Sequence, residues 1–538
     1  MKMFIKPKKR VLDAAQVIVS LLILFFVANG CAAPLRYAAV QNTPSEDSVK
    51  INHGFTRTVD VSDFENLAFD EWTLEYEPTP QRKHTLLIYM NGSDLESETA
   101  AGTGDLKELT RSGVDETYVN VVIFTGGANR WHTNAVPSGE CAVSVLCGGE
   151  ITQIGTVGQR DMGNAGTLAS FISFGLQAFP AEETSLILWD HGGGSIAGYG
   201  ADENFDMSTL SLTELEYAFE RAGLRDKPLA LLGFDACLMA TVEMAVVASS
   251  YAEYLLASEN VEPGDGWDYR TVAVLPDASI EEFAVNICNS FAENCRNSRE
   301  EFTLSLIKTE TAADVMGALG LLAKAATASD FDSGFTLLRS SRQNTKTFGA
   351  GTPDSEPCDM IDILDFTRLL EEKLPNETAL IQKALQNTVL FNVYCSDAEL
   401  GGLSVYHPYS EREDLWRSLE VYKSLKMSGE YTRYLTEFSK KLGAGADKPV
   451  AAPELTHLFG GSTNMYEVSA TDDGTIFAVQ ATVNGEPAEL LVYRAVGLTA
   501  SSSGDELLGY RRRDGSLLQK GYDELTPEDE VSLREEGF

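Results

Sequence analysis

The segment Thr184–Gly194 reads TSLILW and then DHGGG. A short apolar run that breaks into glycines is the pattern of a buried strand that delivers a histidine at its own end. Working outward, the same kind of run recurs at His84–Met90 (HTLLIYM), Tyr118–Thr125 (YVNVVIFT) and Pro228–Phe234 (PLALLGF), with a weaker one at Tyr254–Ala257. Helical spacing fills the intervals at Ala101–Gly113, Asn164–Phe179, Ser211–Ala222 and Met239–Ser249. Continuous apolar strands alternating with helices predict an α/β fold whose mostly parallel sheet is covered on both faces. Right-handed crossovers then bring the C-terminal ends of the parallel strands to one edge.

The residues just past each run carry the chemistry. Met90 is succeeded by Asn91-Gly92-Ser93-Asp94, Thr125 by Gly126-Gly127, Trp189 by Asp190-His191-Gly192, and Phe234 by Asp235-Ala236-Cys237. Open α/β sheets bind ligands at that carboxyl edge. A lone histidine in a loop is more often structural, and a lone cysteine more often a small buried hydrophobe. As a pair at neighbouring strand ends, His191 and Cys237 fit a base and a nucleophile, in a chain with only six histidines. The helical pattern from Met239 places Cys237 at a helix start, where partial positive charge favours a thiolate. His191 would hold the proton and return it to a leaving amine. The amides of Gly192 and Cys237 would cradle an oxyanion.

The segments LILWDHGGG (Leu186–Gly194), GFDACLMATVE (Gly233–Glu243) and SENVEPGDGWDY (Ser258–Tyr269) resemble the clostripain-like cysteine peptidases, of the same clan as caspases, gingipains and legumain. TLLIYMNGSDLES (Thr85–Ser97), MIDILDF (Met360–Phe366) and GGLSVYHP (Gly401–Pro408) extend the likeness. The resemblance implies a caspase-like α/β/α sandwich and endopeptidase activity through a His191–Cys237 dyad and a thioester acyl-enzyme. It also implies cleavage after Arg or Lys, so an acidic group should sit at the pocket floor, because a desolvated guanidinium needs a carboxylate partner. Asp235 and Asp265 are the candidates, with Trp267 as an aromatic wall. Asp265 also reads as an ordinary Gly-Asp-Gly turn. Some relatives need calcium, which the acidic turn Asp202-Glu203-Asn204 leaves open, although surface solvation accounts for its charges; no cofactor is required. Self-cleavage after a basic residue is not expected just beyond His191, since Gly192–Glu220 contains no Lys or Arg.

The 538 residues give room for two or three domains. Eighty Asp and Glu against 42 Lys and Arg leave a formal charge of −38, which excludes binding through nucleic-acid phosphates. Basic peptides suit such a surface as substrates. Lys2 to Arg10 and the apolar run Ala14–Ala28 form an export signal, and Gly30-Cys31 resembles a lipobox with Cys31 as the lipidated residue, although Ala28 replaces the usual Leu. The protein is thus expected outside the cytoplasm, as a bacterial surface lipoprotein on the outer face of the membrane or as a secreted protein. The expected organisation is 1–31 signal and anchor, 32–80 tether and lead-in, 81–445 peptidase domain with a helical extension, and 446–538 a small β-rich domain. Residues 300–345 and 361–390 read as helical, followed by a strand at Leu403–Tyr406, with His407 structural. Without Cys31, seven cysteines remain, so at least one thiol is unpaired. Cys141 and Cys147 are placed to bridge a hairpin loop, whereas Cys288 and Cys295, two helical turns apart, are too distant.

Two other readings compete. His191–Gly194 matches the HGGG oxyanion loop of some esterases, but the chain has no GxSxG elbow. A non-catalytic surface lipoprotein that binds peptides would use the same fold without needing both His191 and Cys237.

Overall fold

The computed structural model describes residues 35–44, 76–296, 301–349, 359–409, 415–427 and 429–444, five single positions between 51 and 74, and five strands between 464 and 518. The leader, Cys31 and Cys358 lie outside the described residues. Ten strands form one sheet: β1 (Arg36–Gln41), β2 (Arg82–Asn91), β3 (Val119–Gly126), β4 (Ala142–Cys147), β5 (Glu150–Thr156), β6 (Ala181–Trp189), β7 (Leu229–Asp235), β8 (Ala252–Ala257), β9 (Phe302–Lys308) and β10 (Val389–Ser396). Their order is β1-β10-β9-β8-β7-β6-β2-β3-β4-β5.

The five apolar runs seen in the sequence are the parallel centre, β3-β2-β6-β7-β8. Their side chains alternate between two cores. Leu86, Ile88 and Met90 enter one, while Leu87 and Tyr89 enter the other. Burial on both faces explains why the middles of these strands are mostly apolar. Antiparallel strands flank the centre on each side.

The helices over the faces are closed by polar caps. Asn164 accepts from Gly166 N–H at the start of Ala165–Ala178, and Ser211–Glu214 and Ser279–Glu282 form capping boxes on Leu212–Arg221 and Ile280–Cys295. Each such cap contributes about 1 kcal/mol.

Several expectations change. Residues 302–308 are strand β9, not helix, and Val389–Ser396 forms β10 beyond the helix Pro375–Thr388. The stretch read as tether contributes edge strand β1, paired antiparallel with β10. Cys141 and Cys147 are both free; they lie at opposite ends of β4, roughly 20 Å apart at strand rise, so they cannot bridge. Cys288 and Cys295 are buried on one helix and do not bridge each other, as the helical spacing requires. Toward the C-terminus, Asn464–Thr471, Gly474–Val483, Glu486–Ala495, Asp505–Arg511 and Leu517–Leu518 form an antiparallel sheet in sequence order.

Candidate active site

β6 and β7 run parallel and adjacent, with Trp189 in register with Asp235. Asp190 N–H donates to the Asp235 carbonyl at 3.3 Å, continuing the pairing past the strand ends. The two chains then come closer still. A Cβ on Gly192 would lie 1.9 Å from the Cys237 carbonyl oxygen, so only glycine permits this approach. His191 and Cys237, 46 positions apart, therefore project from neighbouring loops that touch through backbone.

The turn carrying His191 is pinned by a small bridge between Gly192 and Tyr199. Its hydrogen bonds run from Gly193 N–H to the Gly198 carbonyl (2.8 Å) and from Gly200 N–H to the His191 carbonyl (3.0 Å), which leaves the Gly192 amide outside the ladder. Asp190 is buried beneath. It accepts from Asn91 Nδ2 (2.5 Å), Ser93 Oγ (2.7 Å) and Ala201 N–H (2.6 Å). Burial nonetheless pushes its carboxyl up to about 7.

Cys237 is half-buried and is not at a helix start. The helix behind it spans Val242–Ala248, capped by the Thr241 hydroxyl on Met244 N–H, so four residues separate the thiol from the first helical residue. The intervening turn is held by other chains. Leu238 N–H donates to Asn260 O at 3.1 Å and Ala240 N–H to Ser258 O at 2.8 Å, while Ser404 N–H donates to Ala240 O at 2.9 Å. Leu238 takes φ 65°, a left-handed conformation costly for a branched side chain and maintained by those bonds. The distal segments thus have a clear place. Met360 and Ser404 sit in a three-stranded sheet, Met360 touching the Gly194–Ser195 turn and Ser404 the Cys237 turn. Burial raises the Cys237 thiol above its ordinary value; Glu262 N–H donating to Sγ at 3.2 Å opposes this, and the nearby Asp235 carboxyl reinforces it. The thiol rests neutral, contrary to the thiolate expected from a helix dipole.

Asp235 lies two residues before the sulfur, buried below it. Tyr269 OH donates to its Oδ2 (3.0 Å) and Trp267 N–H to its Oδ1 (3.3 Å). Burial pushes its carboxyl up to about 7, against the hydrogen bond from Tyr269. The loop carrying Asp265 folds over this group, since a Cβ on Gly266 would sit 3.2 Å from Asp235 Oδ1. Asp265 itself is exposed. Trp267 is buried, its indole edge 3.1 Å from where a Cβ on Gly233 would lie, so it packs beneath β7. The carboxyl of Glu262 is buried beside Asp235 and Cys237, and burial raises its protonation range strongly.

Sequence reasoning missed Asp94. Its Oδ1 is 2.8 Å from His191 Nε2. It sits in the first turn of the helix Ser93–Thr99, where an aspartate ordinarily reads as helix-end chemistry. The signal available was its place in NGSD, directly after β2, whose neighbour in the sheet is β6.

The remaining expectations have local explanations. His407 is buried, its Nε2 2.8 Å from Tyr434 OH, with burial lowering its proton affinity to about 3. Asp202 accepts from Met162 N–H and Asn204 N–H, and Glu203 from Asn129 N–H and the Ser97 hydroxyl, so protein donors already satisfy that acidic turn. No helix among the described residues is long and apolar enough to cross a membrane.

Comparison with known proteins adds two findings. The sequence pattern of the Clostripain family matches residues 88–425. Among solved structures, an inactive zymogen C11 protease from Parabacteroides distasonis is 20% identical, with a TM-score of 0.50 over 66% of this chain and 99% of its own, which supports the shared fold. A secreted C11 cysteine protease from Bacteroides thetaiotaomicron, in complex with an irreversible peptide inhibitor, is 16% identical with a TM-score of 0.49, covering 64% of this chain and 98% of its own. No curated protein matches the chain.

Proposed function

The chain belongs to the clostripain family, and as a cysteine-type endopeptidase of that family it acts, we propose, through Cys237 as nucleophile and His191 as general acid and base. The observation that carries this reading is the backbone contact between Gly192 and Cys237, which brings the two loops together. Because the resting thiol is neutral, the first step moves its proton from Sγ to the imidazole as the sulfur attacks the scissile carbonyl carbon. The carbonyl oxygen takes negative charge beside the amides of Gly192 and Cys237. The C–N bond then breaks as the imidazolium gives its proton to the departing amine, leaving a thioester on Cys237. Water, deprotonated by His191, attacks that thioester and releases the acid, with the proton returned to sulfur.

Substrates are peptides cleaved after Arg or Lys. Asp235 supports this as a buried carboxyl two residues from the nucleophile, with Asp265 at the exposed rim of the same loop system. Trp267 closes the wall beneath. A carboxyl whose proton affinity burial has raised would give up its proton to pair with a guanidinium or ammonium group when substrate enters. No cofactor is needed for these steps. The leader and Cys31 support export, with the protein anchored by lipid to the outer face of a membrane or released, and a secreted relative agrees with export. The esterase reading fails on the missing GxSxG elbow. A purely binding role leaves the joining of His191 and Cys237 unexplained.

The test is hydrolysis of peptidyl-Arg and peptidyl-Lys amides by the wild type, Cys237→Ala and His191→Ala. Loss of turnover in both variants, with folding intact, supports the assignment. Substantial turnover by either variant overturns it.

A further inference from the structure

The segment after β2 grips the Asp190-His191 dipeptide from two sides. Asn91 and Ser93 donate to the two oxygens of Asp190, at 2.5 and 2.7 Å, while Asp94 meets the imidazole itself, Oδ1 to Nε2, at 2.8 Å. Ser93 is forced to φ 47° in this arrangement, a left-handed backbone that a buried serine adopts only when its surroundings demand it. The demand is visible in the hydrogen bonds. The strained serine turns its hydroxyl onto Asp190 and at the same time sets the next residue against the histidine.

We infer that Asp94 is a positioning residue for catalysis, which fixes the tautomer and plane of the His191 ring and stabilises the imidazolium formed during thiol attack. With Nε2–H committed to Asp94, Nδ1 is the nitrogen left to exchange a proton with Cys237 Sγ and then with the leaving amine. A carboxylate on the far side of an imidazole performs this orienting task in other hydrolytic sites built on unrelated folds. The charge state fits. Burial raises the Asp94 carboxyl, but its hydrogen bond and charge interaction with His191 outweigh that, and its proton affinity is lowered overall. Asp94 is therefore ionised wherever the enzyme works. The other titratable group acting on the ring is Asp190, on its own strand end, while Cys237 lies on the turn that meets Gly192. Asp190 is largely occupied by its three donors, which leaves Asp94 as the carboxylate in direct contact with the ring.

The Asp94 and His191 side chains are 41% and 40% exposed. Solvent screening limits the charge effect, so orientation contributes most of the benefit. In the full-length enzyme, Asp94→Asn keeps an oxygen acceptor and removes the charge; Asp94→Ala removes both. The expected kcat on a peptidyl-Arg amide falls about 5-fold in Asp94→Asn and about 50-fold in Asp94→Ala, with KM little changed. Thermal midpoints should stay within about 2 °C of the wild type, which separates positioning from structural damage.

This inference rests on His191 being the catalytic imidazole, and the two fail differently. If His191→Ala keeps activity, the catalytic assignment itself falls. If His191→Ala is inactive while Asp94→Ala and Asp94→Asn both match the wild type in kcat, only the role of Asp94 is overturned. A fall in kcat accompanied by a large loss of thermal stability in both Asp94 variants also overturns it, in favour of a structural role.

Discussion

Gly192→Ala perturbs the contact on which the catalytic assignment stands. The added Cβ would lie 1.9 Å from the Cys237 carbonyl oxygen, about 1.5 Å inside the 3.4 Å at which ordinary contact begins. Both neighbours are backbone, so no side chain can swing aside. Gly192 is not among the residues with positive φ, so alanine costs nothing in backbone conformation and the penalty is steric. The loops relieve it by parting, and a separation of about 1 Å between base and nucleophile costs on the order of 100-fold in rate. That corresponds to about 2.7 kcal/mol in barrier height. Folding suffers less, by about 1–3 kcal/mol, because both loops lie at the sheet edge and move without opening the core. The assay is steady-state hydrolysis of a peptidyl-Arg amide beside a thermal melt. A kcat within twofold of the wild type would show that the Gly192–Cys237 approach does not set the geometry of the reacting pair.

The buried acids have consequences of their own. Asp235→Asn should raise KM for Arg and Lys substrates about 10- to 100-fold while preserving kcat on small neutral substrates; Asp265→Asn should cost less, since its carboxylate is exposed. Equal losses on basic and neutral substrates after Asp235→Asn would argue against a P1 role. Asp190, Asp235 and Glu243 are pushed up to about 7 by burial and Asp362 to about 6, against roughly 4 in the unfolded chain. The unfolded state thus binds fewer protons than the folded state between about pH 4 and 7, so stability falls as pH rises through that window and levels off above it. Denaturant midpoints measured at pH 5 and 7.5 should be higher at pH 5; the opposite order would mean these groups are ionised in the fold. Metabolic labelling with a radioactive fatty acid should mark the wild type and spare Cys31→Ala, and equal labelling of both would rule out lipidation at Cys31.

The centre of the sheet is legible in the sequence because burial on both faces leaves a mostly apolar run to read in the middle of β2, β3, β6, β7 and β8. The edges are harder. In β5, EITQIGT, most side chains are exposed or half-exposed, so no continuous run marks it. β9, FTLSLIK, alternates beside a long apolar helix at Ala312–Thr327 and merges into that helix's pattern. The apolar string ACLMATVEMAVVA reads as a helix that begins just after Cys237. Its first part is instead bonded to residues 258–260 and 404, partners that lie beyond any local window. That His191 and Cys237 lie on neighbouring loops can be anticipated, because adjacency of β6 and β7 supplies it. Asp94 shows only its place after β2, since its contact with His191 depends on one side-chain direction across a gap of 97 residues.

The most direct measurement is mass-spectrometric mapping of the enzyme after reaction with a peptidyl-Lys acyloxymethyl ketone, whose acyloxy group leaves as a carboxylate when the sulfur bonds to the methylene carbon. The predicted result is a single adduct on Cys237, slow to form in His191→Ala and absent in Cys237→Ala. An adduct on exposed Cys147 or half-buried Cys395 instead, with Cys237 unmodified and the enzyme inactivated, would contradict the assignment of the nucleophile.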